Sequence, residues 1–218
     1  MEASLIAYAS NTRTKRNLSE LRKRNWRIMI TPFSGKPAEG FRYAIDNGAW
    51  RYYSRGEAFN SIVFESTVQK YGLDADFIVL PDIVMGGMES LRFSESWIDR
   101  LSGSRLLLAV QDGMEKRAVV NLLMDHPSIG VFIGGSTEYK LSSMPYWGSL
   151  CRMLGRWCHV GRVNSRRRIR LCHEAGVTSF DGSGASKFQS MAIRLDAERR
   201  QGNLLSELGD FQNDVRYS

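Results

Sequence analysis

Three aspartates and one glutamine stand at the ends of short apolar runs: Asp46, Asp82, Asp181 and Gln111. Taken singly, such positions fit turns and helix N-caps, which prefer Asp, Asn and Gly. Taken together they are more informative, because the carboxyl ends of parallel strands in an α/β barrel meet on one rim. Carboxylates gathered on that rim could supply a nucleophile and an acid/base for chemistry at a sugar carbon.

A pair of glycines, Gly134 and Gly135, ends another apolar run. Because glycine has no Cβ, a planar ligand could lie directly against the backbone and bond to its N–H and C=O groups. The pattern predicts a surface for a flat ring near the carboxylates.

The elements that must position these residues alternate along the chain. Short apolar runs are each followed by polar or glycine residues and then by an amphipathic stretch, which is typical of repeated βα units. The predicted strands are Leu5–Ala9, Arg27–Thr31, Arg42–Ile45, Asp76–Leu80, Arg105–Val110, Gly130–Ile133, Cys158–Val160 and Thr178–Phe180. The predicted helices are Thr12–Lys23, Gly56–Tyr71, Met88–Leu101, Glu115–Asp125, Tyr139–Arg156, Ser165–Ala175 and Ala185–Arg200. A loop rich in proline and glycine replaces the helix expected between the second and third strands.

This order predicts a single compact α/β domain, a TIM-type (β/α)8 barrel over residues 1–218. Its 218 residues fall short of the roughly 250 that are usual for such barrels. A doubly wound open sheet is the alternative. The barrel is favoured because the βα pattern continues evenly to an eighth run and because no GxGxxG motif follows the first strand.

The composition indicates a folded protein with a basic surface. The formal net charge is +7, with 43% apolar and 11% aromatic residues, which is too hydrophobic for a disordered basic tail. Nucleic acid is one partner that this charge favours. The densest cluster follows the seventh strand, where barrel enzymes often bind phosphate, and consists of Arg162, Arg166, Arg167, Arg168 and Arg170. A solvated run of charges without a ligand is the alternative.

The cysteines and the hydropathy pattern point to neither a metal site nor a membrane. Cys151, Cys158 and Cys172 are an odd number, and none lies in the CxxC spacing typical of zinc sites. We therefore expect no metal and no cofactor. With no apolar run of about 18 residues and no signal-peptide pattern at the start, we expect a cytoplasmic protein without a membrane partner. The sequence leaves its oligomeric state open.

In their order, the segments around these residues resemble the tRNA-guanine transglycosylase family. The matching pieces are Ile45-Asp46-Asn47-Gly48, Val110-Gln111-Asp112-Gly113, Phe132-Ile133-Gly134-Gly135 and the stretch from Gly176 to Asp181. Each piece is weak alone, but four pieces in the same order and at barrel spacing are more specific. They cover roughly residues 40 to 185.

The resemblance implies that two aspartates carry the reaction. Asp181 matches the family's nucleophile, which attacks C1′ and displaces guanine to leave a glycosyl-enzyme ester. Asp46 matches the general acid/base. These residue types suit the chemistry, because a carboxylate can attack an oxocarbenium-like carbon and an incoming base must lose a ring proton to a second carboxylate.

The resemblance also implies a set of residues that bind the base. An ionised Asp82 would accept hydrogen bonds from two donors on the Watson–Crick edge of guanine, while the Gln111 amide would serve a carbonyl. Backbone groups of two glycines would contact the ring. The full set is Asp82, Gln111, Gly134, Gly135 and Asn47.

Two departures from the tRNA-acting members bear on the substrate. Those enzymes carry a cysteine-rich zinc site after the nucleophile, whereas no cysteine follows Cys172 here. Their third-strand motif has a serine and paired glycines where this chain has Asn47, Gly48 and Ala49. Both departures favour the small DNA-acting relatives of phages and bacterial modification islands, which insert 7-deazaguanine derivatives into DNA. The sequence thus predicts DNA and a free 7-deazaguanine base as partners, with tRNA less favoured.

Two other functions stay open at this level. A glycoside hydrolase or N-glycosylase would use the same two carboxylates to deliver water in place of a base. A nucleic-acid-binding barrel without turnover would recognise modified bases and would not depend on the Asp181 carboxylate.

Overall fold

The computed structural model describes residues 5–214, and within them eight strands close into a barrel. The strands are β1 (Ile6–Ser10), β2 (Arg27–Ile30), β3 (Tyr43–Ile45), β4 (Ile78–Val79), β5 (Leu106–Val110), β6 (Gly130–Ile133), β7 (Cys158–Val160) and β8 (Ser179–Gly182). Each strand pairs in parallel with the next, and β8 pairs with β1 to complete the cylinder. The predicted (β/α)8 fold is confirmed.

Helices alternate with the strands around the outside. They are α1 (Lys15–Lys23), α2 (Ala49–Arg55), α3 (Ser61–Tyr71), α4 (Gly87–Glu95), α5 (Lys116–Asp125), α6 (Thr137–Met153), α7 (Arg166–Glu174), α8 (Gly184–Lys187) and α9 (Gln189–Asp214), with a short 3-10 helix at Asp99–Leu101. Residues 31–42 join β2 to β3 without a helix, as the prolines and glycines of that segment predict.

Three of the predicted helices are wrong in their boundaries. The α-helix predicted over Met88–Leu101 ends at Glu95, and only the short 3-10 helix Asp99–Leu101 follows it. The stretch Gly56–Tyr71 is not one helix, because Gly56 ends α2 in the left-handed conformation (φ 65°) and Asn60 caps the start of α3. The stretch Ala185–Arg200 is interrupted at Phe188, whose extended backbone separates α8 from α9. α9 then continues to Asp214.

The apolar core has two layers. Inward side chains such as Tyr8, Phe77 and Leu107 fill the barrel and are fully buried, while outward side chains pack beneath the helices. Neighbours in a strand point to opposite faces. Cys158 of β7 accordingly joins the outer layer, whereas His159 beside it contacts rings inside the barrel. Polar side chains of β7 and β8 can therefore reach the barrel interior.

α9 connects the two ends of the described chain. The Arg199 guanidinium donates to the carbonyl oxygens of Leu5 at 3.2 Å and Arg24 at 2.8 Å, and Asp196 accepts a hydrogen bond from the Trp26 indole at 3.2 Å. α9 has 26 residues, yet among residues 5–214 no helix combines the length and the apolar surface needed to cross a membrane.

Candidate active site

The carboxyl-terminal ends of the strands bring the predicted site residues to one rim. Asp46 follows β3, Asp82 follows β4, Gln111 follows β5 and Asp181 lies in β8. The charges of Asp82 and Asp181 both act on the Asp46 carboxyl, so Asp46 lies within electrostatic range of each. The open end of the barrel at this rim, its mouth, therefore carries three acidic side chains. The predicted chemistry requires such a group of carboxylates.

Asp46 is held by the loop that follows it. The Gly48 N–H donates to Asp46 Oδ1 at 2.7 Å, and Gly48 has a φ of 77° with a hypothetical Cβ only 3.1 Å from the Phe33 ring, so glycine is needed there. Burial raises the pKa of Asp46 to about 7 against the lowering effect of that N–H, and the charge of Asp181 raises it further. A carboxyl with this pKa can give or take a proton near neutral pH.

Asp82 is bracketed by two amides. Asn47 Nδ2 donates to Asp82 Oδ1 at 2.7 Å, and Gln111 Nε2 lies 3.4 Å from Oδ2. Burial raises the pKa of Asp82 to about 6, and these amides oppose the rise. The buried Asn47 also donates to Leu80 O at 2.6 Å and accepts from Ala49 N at 2.8 Å. Asn47 therefore orients Asp82, and its predicted contact with a base stays a prediction.

Gln111 is buried and its amide is engaged at both ends. Its Nε2 donates to Ile83 O at 2.9 Å and lies 2.8 Å from Ser90 Oγ, while its Oε1 accepts from Met85 N at 2.6 Å. Met85 has a φ of 61°, in the region that favours glycine. Gln111 thus holds the loop after β4 in a strained shape, and its predicted role toward a carbonyl of the base stays a prediction.

Asp181 has a donor on each carboxylate oxygen. His159 Nε2 lies 3.1 Å from Oδ2, and the backbone N–H of Arg162 donates to Oδ1 at 3.2 Å. Arg162 takes a φ of 61°, which is strained for a residue with a side chain. The Asp181 side chain is 19% exposed. The carboxylate is therefore fixed in orientation and still reachable from the mouth.

Trp50 and Arg162 face each other beside the carboxylates. The Arg162 guanidinium carbon lies 3.8 Å from the centroid of the Trp50 ring, which is a cation–π contact. Trp50 is nonetheless half exposed, as is Tyr53 next to it. Tyr52 is buried instead against the Phe33 ring. Two aromatic rings of α2 are thus open to a ligand, and one belongs to the core.

The two glycines on the rim, Gly134 and Gly135, differ in whether the surrounding structure leaves room for a side chain. Gly135 has a φ of 73°, and a Cβ there would lie 2.4 Å from Asp112 Oδ2. Asp112 in turn accepts from the backbone N–H of Ser136 at 2.7 Å and from its hydroxyl at 2.8 Å. A Cβ at Gly134 would meet only ordinary contacts, the nearest at 3.5 Å. Packing therefore explains the glycine at 135 but not the glycine at 134, where the predicted ring contact stays a prediction.

The arginine cluster divides into two parts. Arg166 and Arg170 of α7 both pair with Glu198 of α9, whose side chain is almost fully buried. Hydrogen bonds from these arginines lower the pKa of Glu198 despite its burial. Glu198 thus balances one of their two charges and ties both guanidinium groups to α9, although both arginine side chains stay more than half exposed.

The other arginines of the cluster stay available. Arg167 is exposed and has no acidic partner within ion-pair distance among residues 5–201, while Arg168 donates to the Arg162 carbonyl at 3.3 Å. Arg162 lies on the rim over Trp50. Within the described chain, the arginines of this cluster that have no carboxylate partner are Arg162, Arg167 and Arg168.

Sequence reasoning missed the polar groups behind the rim. His159 and Ser179 are completely buried, and together with Trp157 they form a hydrogen-bonded chain that ends on Asp181. One signal was present in the sequence: Ser179 and Asp181 are two residues apart in one strand and so point to the same side.

Lys140 of α6 is a second group that sequence reasoning missed. It is buried, and its Nζ donates to the Gly161 carbonyl at 3.2 Å. Burial lowers the pKa of Lys140 to about 8; the charge of Arg162 adds to this effect and that of Asp181 opposes it. A buried cation thus lies close behind the loop that carries Arg162.

The cysteines belong to the core. All three are free and buried, and burial raises the pKa of Cys172 to about 12, so that its thiol stays protonated near neutral pH. In the part of the chain that the structure describes, no group of three or more His, Cys, Asp or Glu side chains is arranged to hold a metal ion.

Comparison with known proteins shows the fold and no family. No protein-family model matches the chain, and no curated protein matches its sequence. A solved structure described as a cube-shaped, highly porous protein cage designed by fusing symmetric oligomeric domains has a TM-score of 0.55 and 9% identity, over 99% of this chain and 79% of that one. The protein is thus a single-domain (β/α)8 barrel with a cluster of carboxylates on its carboxyl-terminal rim.

Proposed function

We propose that this barrel is a nucleic-acid base transglycosylase that exchanges guanine in DNA for a 7-deazaguanine derivative. The observation that carries the proposal is the pair formed by Asp181 and Asp46. Asp181 is oriented by two hydrogen bonds and is partly exposed, while the pKa of Asp46 is raised to about 7 by burial. One carboxylate is prepared to attack, and the other to move a proton near neutral pH.

The exchange follows in two displacements at C1′ of the nucleotide. In the first, a carboxylate oxygen of Asp181 bonds to C1′, the bond from C1′ to guanine breaks, and protonated Asp46 gives the leaving base its proton. In the second, the ionised Asp46 takes a ring N–H proton from the incoming deazaguanine, whose nitrogen bonds to C1′ as the ester breaks. Both carboxyl groups then return to their starting states, so no further reactant is required.

Base selection falls to Asp82 in this scheme. With a pKa of about 6 it is largely ionised at neutral pH, and its oxygens can accept the two neighbouring donors on the edge of guanine. Asn47 and Gln111 donate to the same carboxylate, so they fix its plane before a base arrives. An adenine-type edge presents an acceptor at one of these places and would be repelled.

The positive charge and the exposed aromatic side chains at the mouth of the barrel support DNA as the substrate. Arg162, Arg167 and Arg168 can contact phosphates next to the reacting nucleotide, and Trp50 can stack on a base that has left the duplex. These features serve a polyanionic substrate with exposed bases better than a free sugar. They add to the resemblance, which favours DNA over tRNA.

The decisive experiment supplies the protein with labelled guanine, candidate 7-deazaguanines and either DNA or tRNA, followed by nucleoside mass analysis. Incorporation of free base into intact DNA is the expected outcome. Incorporation into tRNA alone would move the substrate to RNA, and abasic product without incorporation would make the protein a hydrolase. Binding without any change of nucleosides would contradict an enzymatic role. The Asp181→Asn variant serves as the matched control in every arm.

A further inference from the structure

Behind Asp181, a chain of hydrogen bonds runs through the interior of the barrel. Trp157 Nε1 donates to Ser179 Oγ at 2.7 Å, Ser179 Oγ lies 2.8 Å from His159 Nδ1, and His159 Nε2 lies 3.1 Å from Asp181 Oδ2. The middle two side chains are fully buried. The pairing of β7 with β8 sets this contact, because His159 and Ser179 are register partners.

The direction of each hydrogen bond follows from what each group can donate. An indole N–H only donates, so Ser179 Oγ accepts from Trp157. An ionised carboxylate only accepts, so the proton between His159 and Asp181 lies on Nε2, and Nδ1 of a neutral ring accepts from the Ser179 hydroxyl. A nitrogen that accepts carries no proton, so a neutral imidazole at His159 must carry its proton on Nε2. That nitrogen faces Asp181 Oδ2 and donates to it. Every polar atom of the chain is then satisfied with no charge on the ring.

We propose that His159 is a positioning residue for Asp181: it acts as a neutral imidazole whose Nε2–H holds one carboxylate oxygen, and it does not itself carry a proton in the reaction. The proposal goes beyond the exchange reaction, because it states a protonation form of the free protein. Only its consequence for the rate rests on the proposed function.

Aromatic side chains surround the ring of His159. Its ring stacks on Phe132 with the centroids 5.0 Å apart, is tilted against Phe77 at 5.1 Å and meets Tyr8 edge-on at 5.6 Å. Among the described residues, Asp181 is the one carboxylate bonded to it. An imidazolium would oblige Ser179 Oγ to accept from both Trp157 and His159, and its own hydroxyl proton would then have no acceptor in this chain.

A neutral donor suits the work proposed for Asp181. It fixes the orientation of the carboxylate, while the negative charge that faces an oxocarbenium-like carbon is not cancelled by a cation. When the ester breaks in the second displacement, the same N–H is already aimed at the oxygen that regains charge. Reorientation is then avoided at both steps.

The first test reads the tautomer in the free protein by nitrogen-15 NMR of the histidine ring, without any substrate. We expect Nδ1 to show the shift of an unprotonated nitrogen and Nε2 that of a protonated one at neutral pH. Ser179→Ala removes the donor to Nδ1 and should abolish this preference, whereas Thr178→Val, which removes a hydroxyl from the neighbouring residue, should preserve it. A protonated Nδ1 in the parent protein would overturn the proposal whatever the protein's activity.

The second test separates positioning from proton transfer by replacing His159. In His159→Gln the side-chain oxygen can accept from Ser179 and the amide can donate to Asp181, but no proton can be carried; in His159→Leu neither bond forms. We expect His159→Leu to lower kcat by on the order of 10–100-fold through misplacement of the nucleophile, and His159→Gln to recover most of that loss. Equal losses of roughly 100-fold or more in both variants, with both folded by thermal melting, would make His159 an acid/base and contradict the proposal.

Discussion

Asp76 at the amino-terminal end of the barrel and Asp46 at the carboxyl-terminal end are both withdrawn from water, but their partners differ. Asp76 lies 3.0 Å from the Arg27 guanidinium and 2.5 Å from that of Arg42, and it accepts the Tyr8 hydroxyl at 2.9 Å. Two cations and a neutral donor thus compensate one buried charge. Breaking such a set costs stability, because the remaining charges stay behind without a partner.

Asp46 forms no ion pair with a cation in the described part of the chain. It accepts a hydrogen bond from the Gly48 N–H, and the charges of Asp181 and Asp82 act on it more strongly than the opposing charge of Arg162. Placing like charges together in a desolvated rim opposes folding, and perturbed carboxyl groups of this kind gather where chemistry is done. The difference fits a structural role for Asp76 and the chemical role proposed for the rim.

The largest effect is expected at Asp181. Replacement by Asn keeps the shape of the side chain and the bond from Arg162 N, but an amide cannot form the glycosyl ester. We expect base exchange to fall on the order of 10,000-fold or more, with the melting temperature nearly unchanged. Base exchange near the parental rate in Asp181→Asn would show that Asp181 is not the nucleophile, and the proposed difference between the two ends of the barrel would then fail.

At Asp76 we expect the opposite result, a loss of stability without a loss of base exchange. Asp76→Asn leaves Arg27 and Arg42 beside a neutral group, and we expect the free energy of unfolding to fall by about 3 kcal/mol in denaturant titrations. The folded variant should retain base exchange. Glu57→Gln, which breaks the exposed pair with Arg55, is the control and should cost less than about 1 kcal/mol. A loss of base exchange in folded Asp76→Asn would contradict this expectation, because it would assign a role in the reaction to the amino-terminal end of the barrel.

Asp82 should govern which base is accepted. Asp82→Ala leaves two donors of guanine without a partner in the pocket, which we expect to reduce discrimination against adenine-type bases by about 2–4 kcal/mol. Competition between labelled purines measures this ratio directly. Unchanged selectivity would move base recognition to other residues.

A further effect concerns the pH dependence of stability. A carboxyl whose pKa is raised from 3.8 to about 7 favours the folded state below pH 4, and that contribution is lost as the pH rises toward 7. Asp46→Asn has no such loss, so its stability relative to the parent should rise by roughly 3–4 kcal/mol between pH 4 and pH 7.5. Denaturant titrations at several pH values measure the difference. A constant difference across this window would show that Asp46 is not desolvated.

The smallest effect is expected from the arginines. Replacing Arg167 and Arg168 by Gln should lower the slope of log DNA affinity against log salt by roughly one to two units. Replacing Arg166 and Arg170 by Gln leaves Glu198 buried without its cations, so it should lower stability and leave the slope of the folded protein nearly unchanged. Equal salt slopes for both double variants and the parent would show that the whole cluster is solvated and contacts no DNA phosphate.

The fold could be predicted from the sequence because its signals are local. Each strand is an apolar run followed by polar or glycine residues, and the barrel topology then carries Asp46, Asp82 and Asp181 to one rim without further information. The turn at Gly56 is also a local signal. The amphipathic pattern continues across it, however, and therefore predicts a helix where the structure has a turn.

What could not be predicted depends on contacts between distant parts of the chain. The pairing of Arg166 and Arg170 with Glu198 requires α9 to pack against α7, which no spacing within the arginine cluster reveals. His159 meets Ser179 only through the register of β7 against β8. Local sequence shows that Cys158 and His159 point to opposite faces of a strand, but it does not show which face is inside or what His159 bonds to.

The central claim is that Asp181 becomes covalently bound to the nucleotide while the base is exchanged. The most direct measurement is a denaturing quench during turnover with DNA and free base, followed by intact mass and peptide mapping of any protein–DNA adduct. We predict an adduct of DNA that has lost one base, attached to the peptide containing Asp181 and absent from Asp181→Asn. Base exchange that proceeds without an adduct, or with an adduct on another residue, would contradict the account.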